Sequence, residues 1–563
     1  MSDVAPQCEE EPQILVANVN AGSGLIGPIP VTSTPCFLPQ AIPGTTTTIW
    51  LGADVEPTIA VNPTCPAQVV AAWQSGRISN GAALEAGIAY SSDWGLSWKH
   101  TVVPFQLCLG GQWNRVSDTW LSWSVDGKRV YLNVLVLNVV PNPGTTFQSG
   151  IATSYSEDGG ATWSIPVMNI GSENSIVDFP LNDKNTITAD TNNPCNVYSV
   201  WDKFIDADSF HSDLYFSRST NQGTSWFPAV NIYDATNDLT KSGLSNGIRN
   251  DNQVLGAILV SPPSCPGKLL IFFTRIYAIP TATDEQYMND SFPYQYTTSD
   301  LAFIESCDGG INWSLSATRI TGLDYNATNF TGGYTYTANG QVAAGIGARL
   351  RSGSPGLFDV GVNPRNGYLY VVYEDTTFRS DLLTQIGLRY SIDGGRSWSE
   401  SIMVNRTPQN VKNPQAFCPA VAISGNGYIA VLYSDLRFDD KSDPLLNTRA
   451  DVWLALYKEK DCGLVFVKEF RLSPQSYILQ HGPLTSLGYM TNGDYPEVIA
   501  VDEFFYATYT IASPGPFVPA TEIPVVTDPP STLLLDTNRR TSTFVSLIST
   551  PKELSSKKLC TDC

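Results

Sequence analysis

Five octapeptides decide how this chain folds: Ser91-Ser-Asp93-Trp-Gly95-Leu-Ser97-Trp98, Ser156-Glu-Asp158-Gly-Gly160-Ala-Thr162-Trp163, Ser219-Thr-Asn221-Gln-Gly223-Thr-Ser225-Trp226, Ser306-Cys-Asp308-Gly-Gly310-Ile-Asn312-Trp313 and Ser391-Ile-Asp393-Gly-Gly395-Arg-Ser397-Trp398. All obey S-x-[D/N]-x-G-x-[S/T/N]-W, and each follows a short alternating apolar run such as GIAYS or GLRYS. A short acid or amide accepts backbone N–H groups across a turn, Gly takes the positive φ, and Trp folds back over the hairpin. Each copy therefore predicts a hairpin tip. Asp93, Asp158, Asn221, Asp308 and Asp393 serve as its acceptors, and Trp98, Trp163, Trp226, Trp313 and Trp398 as packing residues.

A second regular unit lies upstream of each hairpin: a strand opened by Pro or Asp, a turn rich in Asn, Pro or Gly, and an apolar strand. It runs from Pro57 to Trp73, Thr119 to Val134, Asn185 to Trp201, Leu255 to Phe273, Phe358 to Tyr373, Pro419 to Tyr433 and Pro496 to Tyr509. The last two copies lack the octapeptide. Two such strands plus the two flanking a hairpin make a four-stranded antiparallel sheet, and sheets repeated in this way bury their faces only against one another. The expected fold is all-β, a seven-bladed β-propeller, with six blades as the alternative. Residues 1–50 are expected to wrap or close the ring, 51–550 to form the propeller and 551–563 to form a tail.

Composition narrows the function classes. The 563 residues carry a formal charge of -20, which disfavours a nucleic-acid partner. No apolar run reaches the roughly 18 residues of a membrane span; Val130 to Val140, broken by Asn133 and Asn138, reads as a strand pair. The N-terminus shows no secretory leader pattern. Eleven cysteines cannot all pair within one chain, so Cys560 or Cys563 would serve an interchain disulfide, while Cys65, Cys195 and Cys265 recur at one turn of three units and suggest bonds to terminal cysteines. With three histidines, His100, His211 and His481, no metal site and no cofactor are expected. Sequons stand at Asn289, Asn312, Asn326, Asn329 and Asn405.

The octapeptides resemble the Asp-box, or BNR repeat, of sialidases and sialidase-like propellers, and segments such as EPTIAVNPTCPAQVVAAWQSGR resemble their inner strands. The resemblance covers roughly residues 50–550 and implies the fold. It places the boxes at the outer rim, away from the central site. A sialidase-like site would need three arginines for a carboxylate, a Tyr polarised by a Glu, and an acid/base Asp. The segment that supplies the first arginine is missing: Gly27-Pro-Ile-Pro30 stands nearest, and no Arg precedes Arg77.

Loops at the ends of inner strands would face the axis, so catalytic candidates come from there. They are Asp54, Glu56, Arg77, Asp118, Asp183, Asp202, Arg249, Asp251, Arg275, Glu374, Asp375, Asp435, Arg437 and Asp494. Acids in such places also cap backbone amides. Trp73, Trp120 and Trp201, with Tyr287, Tyr294 and Tyr296, are the aromatic ligand-binding candidates. The expected role is a surface, structural or glycan-binding protein, extracellular or on a particle or cell surface, with glycans or other surface proteins as partners. The alternative is a glycoside hydrolase of exo-sialidase type with a diverged central site.

Overall fold

The structure is a computed structural model, which describes residues 14–18, 46–140, 146–170, 181–205, 211–234, 253–278, 297–323, 349–351, 357–381, 383–439, 448–460, 463–484, 489–491, 493–514, 521–525, 531–536 and 538–550. It is all-β; the helical turns among these residues are the short 3-10 segments Leu107–Leu109 and Leu479–His481. No helix among them is long and apolar enough to cross a membrane.

Among the described residues the strands pair antiparallel in successive units along the chain, the first, second and last of which are joined in one continuous 14-stranded sheet. The first joins Thr46–Val61, Val69–Ile78, Ala83–Ser91 and Lys99–Thr101. The second joins Arg115–Trp123, Val130–Val140, Thr146–Ser156 and Val167–Ile170. Leu181–Ala189, Val197–Phe204, Ser212–Ser219 and Val230–Tyr233 form the third. Gln253–Val260, Leu269–Ala278, Thr297–Ser306 and Thr318–Leu323 form the fourth. The fifth is Phe358–Val362, Leu369–Asp375, Gln385–Ser391 and Ile402–Met403, and the sixth is Ala416–Ile423, Tyr428–Asp435, Arg449–Lys460 and Gly463–Arg471. In the seventh, Glu497–Val501, Phe504–Pro514 and Arg539–Ser549 are completed by Ile14–Asn18 from the other end of the chain. Val130–Val140 is one continuous strand and not the expected pair. Its buried Asn133 fits because the side-chain amide donates to Thr153 Oγ1 at 2.9 Å.

Each unit shares a core with its neighbours, as period-2 strands apolar on both faces require. Tyr198, Phe216 and Tyr233 of the third unit pack with Leu259, Ile271 and Phe273 of the fourth. Ile59, Val69 and Trp73 of the first pack with Tyr506 and Val545 of the seventh. Each large apolar side chain so buried contributes about 1.5–3 kcal/mol. Hydrogen bonds also pass between neighbouring first strands: Thr186 Oγ1 donates to Ala257 O at 3.0 Å, Val421 N to Asp359 Oδ2 at 2.7 Å, and Leu121 N to Thr58 Oγ1 at 3.1 Å.

The octapeptides sit between the third and fourth strands of the first five units, and each closes the same loop. In the fifth, Gly395 N donates to Ser391 Oγ at 2.9 Å, Ser397 N to Asp393 Oδ1 at 2.9 Å and Trp398 Nε1 to Gly395 O at 3.2 Å. From the second copy onward the fifth-position glycine touches the preceding unit: a Cβ on Gly310 would meet the Phe216 ring at 2.6 Å, and one on Gly395 the Phe303 ring at 2.6 Å. Gly310 also has φ +82°. The motif therefore fixes a turn and seats it against the preceding sheet.

Candidate functional site

The first strands carry a recurring defect that builds the centre. Their pairing with the second strands slips between Val55 and Thr58, Ser117 and Trp120, Asp183 and Thr186, Leu255 and Ile258, and Phe417 and Ala420. At these bulges Glu56, Asp118, Lys184, Gly256 and Cys418 have φ of 53°, 47°, 50°, 72° and 50°. A left-handed non-glycine residue costs roughly 1–3 kcal/mol and persists only where its surroundings hold it. Carboxylates of neighbouring units do so. Lys184 N donates to Asp118 Oδ2 at 3.1 Å, Gly256 N to Asp202 Oδ2 at 2.7 Å, and Cys418 N to Glu374 Oε1 at 3.0 Å.

Two cavities open where these strands meet. A narrow one of about 40 Å³ is lined by Trp120, Thr186, Ala257, Asp359, Pro419 and Glu497, one residue from each of the second to seventh units. A wider one of about 410 Å³ is lined by Glu56, Arg77, Arg115, Asp118, Asp183 and Asp494, among others, and Lys184 borders both. The wider volume falls in the range of small-molecule sites.

Its walls are strongly charged and built mostly from buried side chains. Lys184 Nζ pairs with Asp494 Oδ2, both buried. Gln74 donates to Glu56 Oε2, Arg77 Nη1 to Gln74 Oε1 at 2.6 Å, and Tyr495 Oη to Asp118 Oδ1 at 3.2 Å. Burial, with Asp494 and Asp118 close by, pushes Glu56 up to about 8. Burial and Asp118 raise Asp183 to about 7. Burial acts on Asp118 in the same sense, but Lys184 and the hydrogen bonds from Glu56 and Asp183 outweigh it and hold Asp118 below the usual carboxylate range. Lys184 loses to burial but gains more from Asp494, Asp118 and Asp183, and is held well above its ordinary value. On the opposite flank, burial and then the neighbouring Arg77 bring Arg115 down to about 10. The lining sets the three cations Arg77, Arg115 and Lys184 against four acids, of which burial pushes Glu56 and Asp183 toward the protonated form.

The cavity thus gathers Glu56, Arg77, Asp118, Asp183 and Asp494 from the expected set. The other candidates have different duties. Glu374 and Asp202 cap bulges, as above. Asp375 accepts from Thr377 and Ser401. Asp435 and Arg437 form a closed ion network inside the sixth unit, where Arg437 Nη1 also reaches Glu469 Oε2 at 2.8 Å and its guanidinium lies 3.6 Å over the Trp453 ring. Arg275 is locked to Asp300 at 2.7 Å, and burial pushes Asp54 well above the usual carboxylate range. Trp73 and Trp201 are 1% and 0% exposed, so neither offers a face to a ligand; Trp120 borders the narrow cavity, edge-on to Tyr495. Arg249, Asp251, Tyr287, Tyr294, Tyr296, Cys560 and Cys563 lie outside the described residues. Cys195 and Cys265 carry free, exposed thiols, so they do not bond to terminal cysteines. Asn405 is buried, its amide donating to Gln385 and Thr407, and is closed to glycosylation; Asn312 is exposed.

Sequence reasoning missed Lys184, Arg115 and Tyr495. Aligning the seven first strands would have nominated Lys184, which shares the bulge column with Glu56 and Asp118. Tyr495-Pro496 mirrors Glu56-Pro57 in the same way.

No protein-family model matches the chain, and no curated protein matches it. Among solved structures it is similar to a protein of unknown function from Dyadobacter fermentans, at 11% identity and TM-score 0.40, covering 91% of this chain and 99% of that one. It is also similar to an α-L-arabinofuranosidase from Fusarium graminearum, at 11% identity and TM-score 0.39 with 70% and 93% covered. A third similarity is to the NanB sialidase of Streptococcus pneumoniae, at 11% identity and TM-score 0.40 with 78% and 80% covered.

Proposed function

We propose that the chain is a seven-bladed Asp-box β-propeller whose axial cavity binds an anionic saccharide. One observation carries the ligand class: Arg77 and Arg115 line the same cavity, with Arg77 near enough to add to burial in disfavouring the charge on Arg115. A bound carboxylate would relieve that repulsion and accept paired N–H bonds from guanidinium. Protons on Glu56 and Asp183 make the lining less anionic and add donors for sugar hydroxyls. The resemblance of the octapeptides supports the propeller, as do the cores shared around all seven units.

A second reading, glycoside hydrolysis, is favoured by one pair. Asp183 holds a proton near neutrality beside an ionised Asp118, and carboxyls pushed apart in this way can divide acid and base roles. Two features weigh against a sialidase of the usual design. Only two guanidinium groups line the cavity among the described residues. Burial and the neighbouring Asp118, Glu56 and Asp494 also push the Tyr495 phenol well above its ordinary value, the opposite of an activated nucleophile.

Calorimetry with sialic or uronic acid glycosides, beside their neutral counterparts, tests binding. Preference for the acids, lost in Arg77→Ala, supports the proposal; equal affinity for both sinks it. Release of a fluorogenic sialoside, abolished by Asp183→Asn, would establish the hydrolase.

A further inference from the structure

Away from the axial cavity, the third unit brings together His211, Asp213 and Asp234, whose donor atoms all lie within 4.8 Å of one another. The geometry follows from the strands. His211 immediately precedes Ser212–Ser219 and Asp213 is its second residue, so the two are separated by one position and project from the same face. Asp234 immediately follows the antiparallel partner Val230–Tyr233, whose Tyr233 is opposite Leu214. A His-x-Asp pair on one strand therefore meets a third ligand from the next.

His211 Nε2 stands 3.0 Å from Asp213 Oδ1 and 3.8 Å from Asp234 Oδ1. Asp213 is 6% exposed, and its Oδ1 accepts no hydrogen bond, although Oδ2 takes one from Asn231 Nδ2 at 2.7 Å. A buried carboxylate oxygen aimed at an imidazole nitrogen and left without a donated hydrogen is costly unless a cation supplies the missing charge. Asn231 is itself held, its Oδ1 accepting from Tyr233 N at 3.1 Å, so it orients Asp213 as outer partners of metal ligands do.

We propose that His211, Asp213 and Asp234 bind a divalent transition-metal ion, with zinc the best fit. One imidazole and two carboxylates form a nitrogen–oxygen donor set without thiolate, and three protein ligands leave one tetrahedral position for water. His211 and Asp234 are partly exposed, which gives the ion a path from solvent. Bound there, it ties the outer two strands of the third unit together at the strand end that carries Asp213 and Lys203, opposite each other in the second and third strands.

The test is calorimetry of the chelator-stripped full-length protein with Zn²⁺ alone, beside absorption spectra with Co²⁺. The expected result is one equivalent bound at micromolar or tighter affinity, with Co²⁺ d–d bands and no thiolate charge-transfer band. His211→Gln should weaken binding at least 100-fold and Asn231→Ala about 10-fold, the usual range for an outer partner. Absence of stoichiometric binding by the wild-type protein overturns the proposal. So does thiolate-type Co²⁺ absorption, or binding unchanged in His211→Gln. A histidine NMR titration showing a His211 imidazolium that added Zn²⁺ leaves unmoved also overturns it, since a proton then fills the place of the ion.

Discussion

Glu497 accepts the Thr58 hydroxyl at 2.7 Å, joining residues 439 positions apart in the chain. The same carboxyl oxygen takes the Ile59 N–H at 2.5 Å, so one side chain of the seventh unit holds the first strand of the first. Glu497→Ala leaves that N–H and hydroxyl without their acceptor and should cost about 1–3 kcal/mol. Glu497→Gln keeps a carbonyl acceptor and should cost less than half as much. Urea midpoints of the two variants check this; equal losses would mean that the acceptor does not matter.

The pH dependence of stability has a definite sign. Burial raises Glu497 and Glu56 to about 8 and Asp359 and Asp183 to about 7, so the folded chain keeps protons that the unfolded chain releases. Their contribution is present in full below the ordinary carboxylate range, at about pH 4, and is lost as pH rises to 8. The turn acids act oppositely: hydrogen bonds from Asn312 and Ser306 hold Asp308 at about 2, and those from Ser397 and Ser391 hold Asp393 at about 2, so their contribution is lost as pH falls from 4 to 2. Thermal midpoints should peak near pH 4–5 and decline on both sides; a midpoint that climbs steadily to pH 8 would contradict the buried protons.

Gly310 tests the seating of the hairpins. Valine there meets the Phe216 ring and takes an unfavourable φ, so Gly310→Val should lower stability by more than about 2 kcal/mol. Gly309→Ala, at φ +69° but with only the Tyr198 hydroxyl at 3.8 Å, should cost about 1 kcal/mol. Similar losses for the two would show that contact with the preceding sheet adds nothing.

Much of this architecture was legible in the sequence because its signals are local. The Ser, Asp, Gly and Trp of each octapeptide interact within eight residues, and the pairs of upstream strands alternate in a pattern that needs no partner to be seen. Glu56, Arg77, Asp118, Asp183 and Asp494 were visible as polar residues at strand ends. Their surroundings were not, because the cluster is assembled from residues up to 438 positions apart, as in the Asp494 N–H bond to Glu56. Lys184 escaped notice because an extended strand does not advertise a left-handed bulge. Glu374 and Asp435 look like catalytic acids in sequence and differ only in what they already hold.

Lys184→Met should be among the most damaging single changes at the centre. It leaves the buried Asp494 and Asp118 without their cation, a loss of about 3–5 kcal/mol. Adding Asp494→Asn should recover part of it. Soluble yield and thermal midpoint report both effects, and a Lys184→Met protein as stable as wild type would show that the pair is solvated.

Affinity for an anionic saccharide should fall as pH rises from 6 to 9. Over that span Asp183 and Glu56 ionise, and the lining gains negative charge. Calorimetry at three pH values checks this; rising affinity would place the ligand's charge elsewhere.

The pairing of Ile14–Asn18 with Arg539–Ser549 has a consequence for biogenesis. On the ribosome Ile14–Asn18 must wait for Arg539–Ser549 to be made, so the nascent chain carries an unpaired strand until that segment emerges. The interval before that pairing is when chaperones would find their hold.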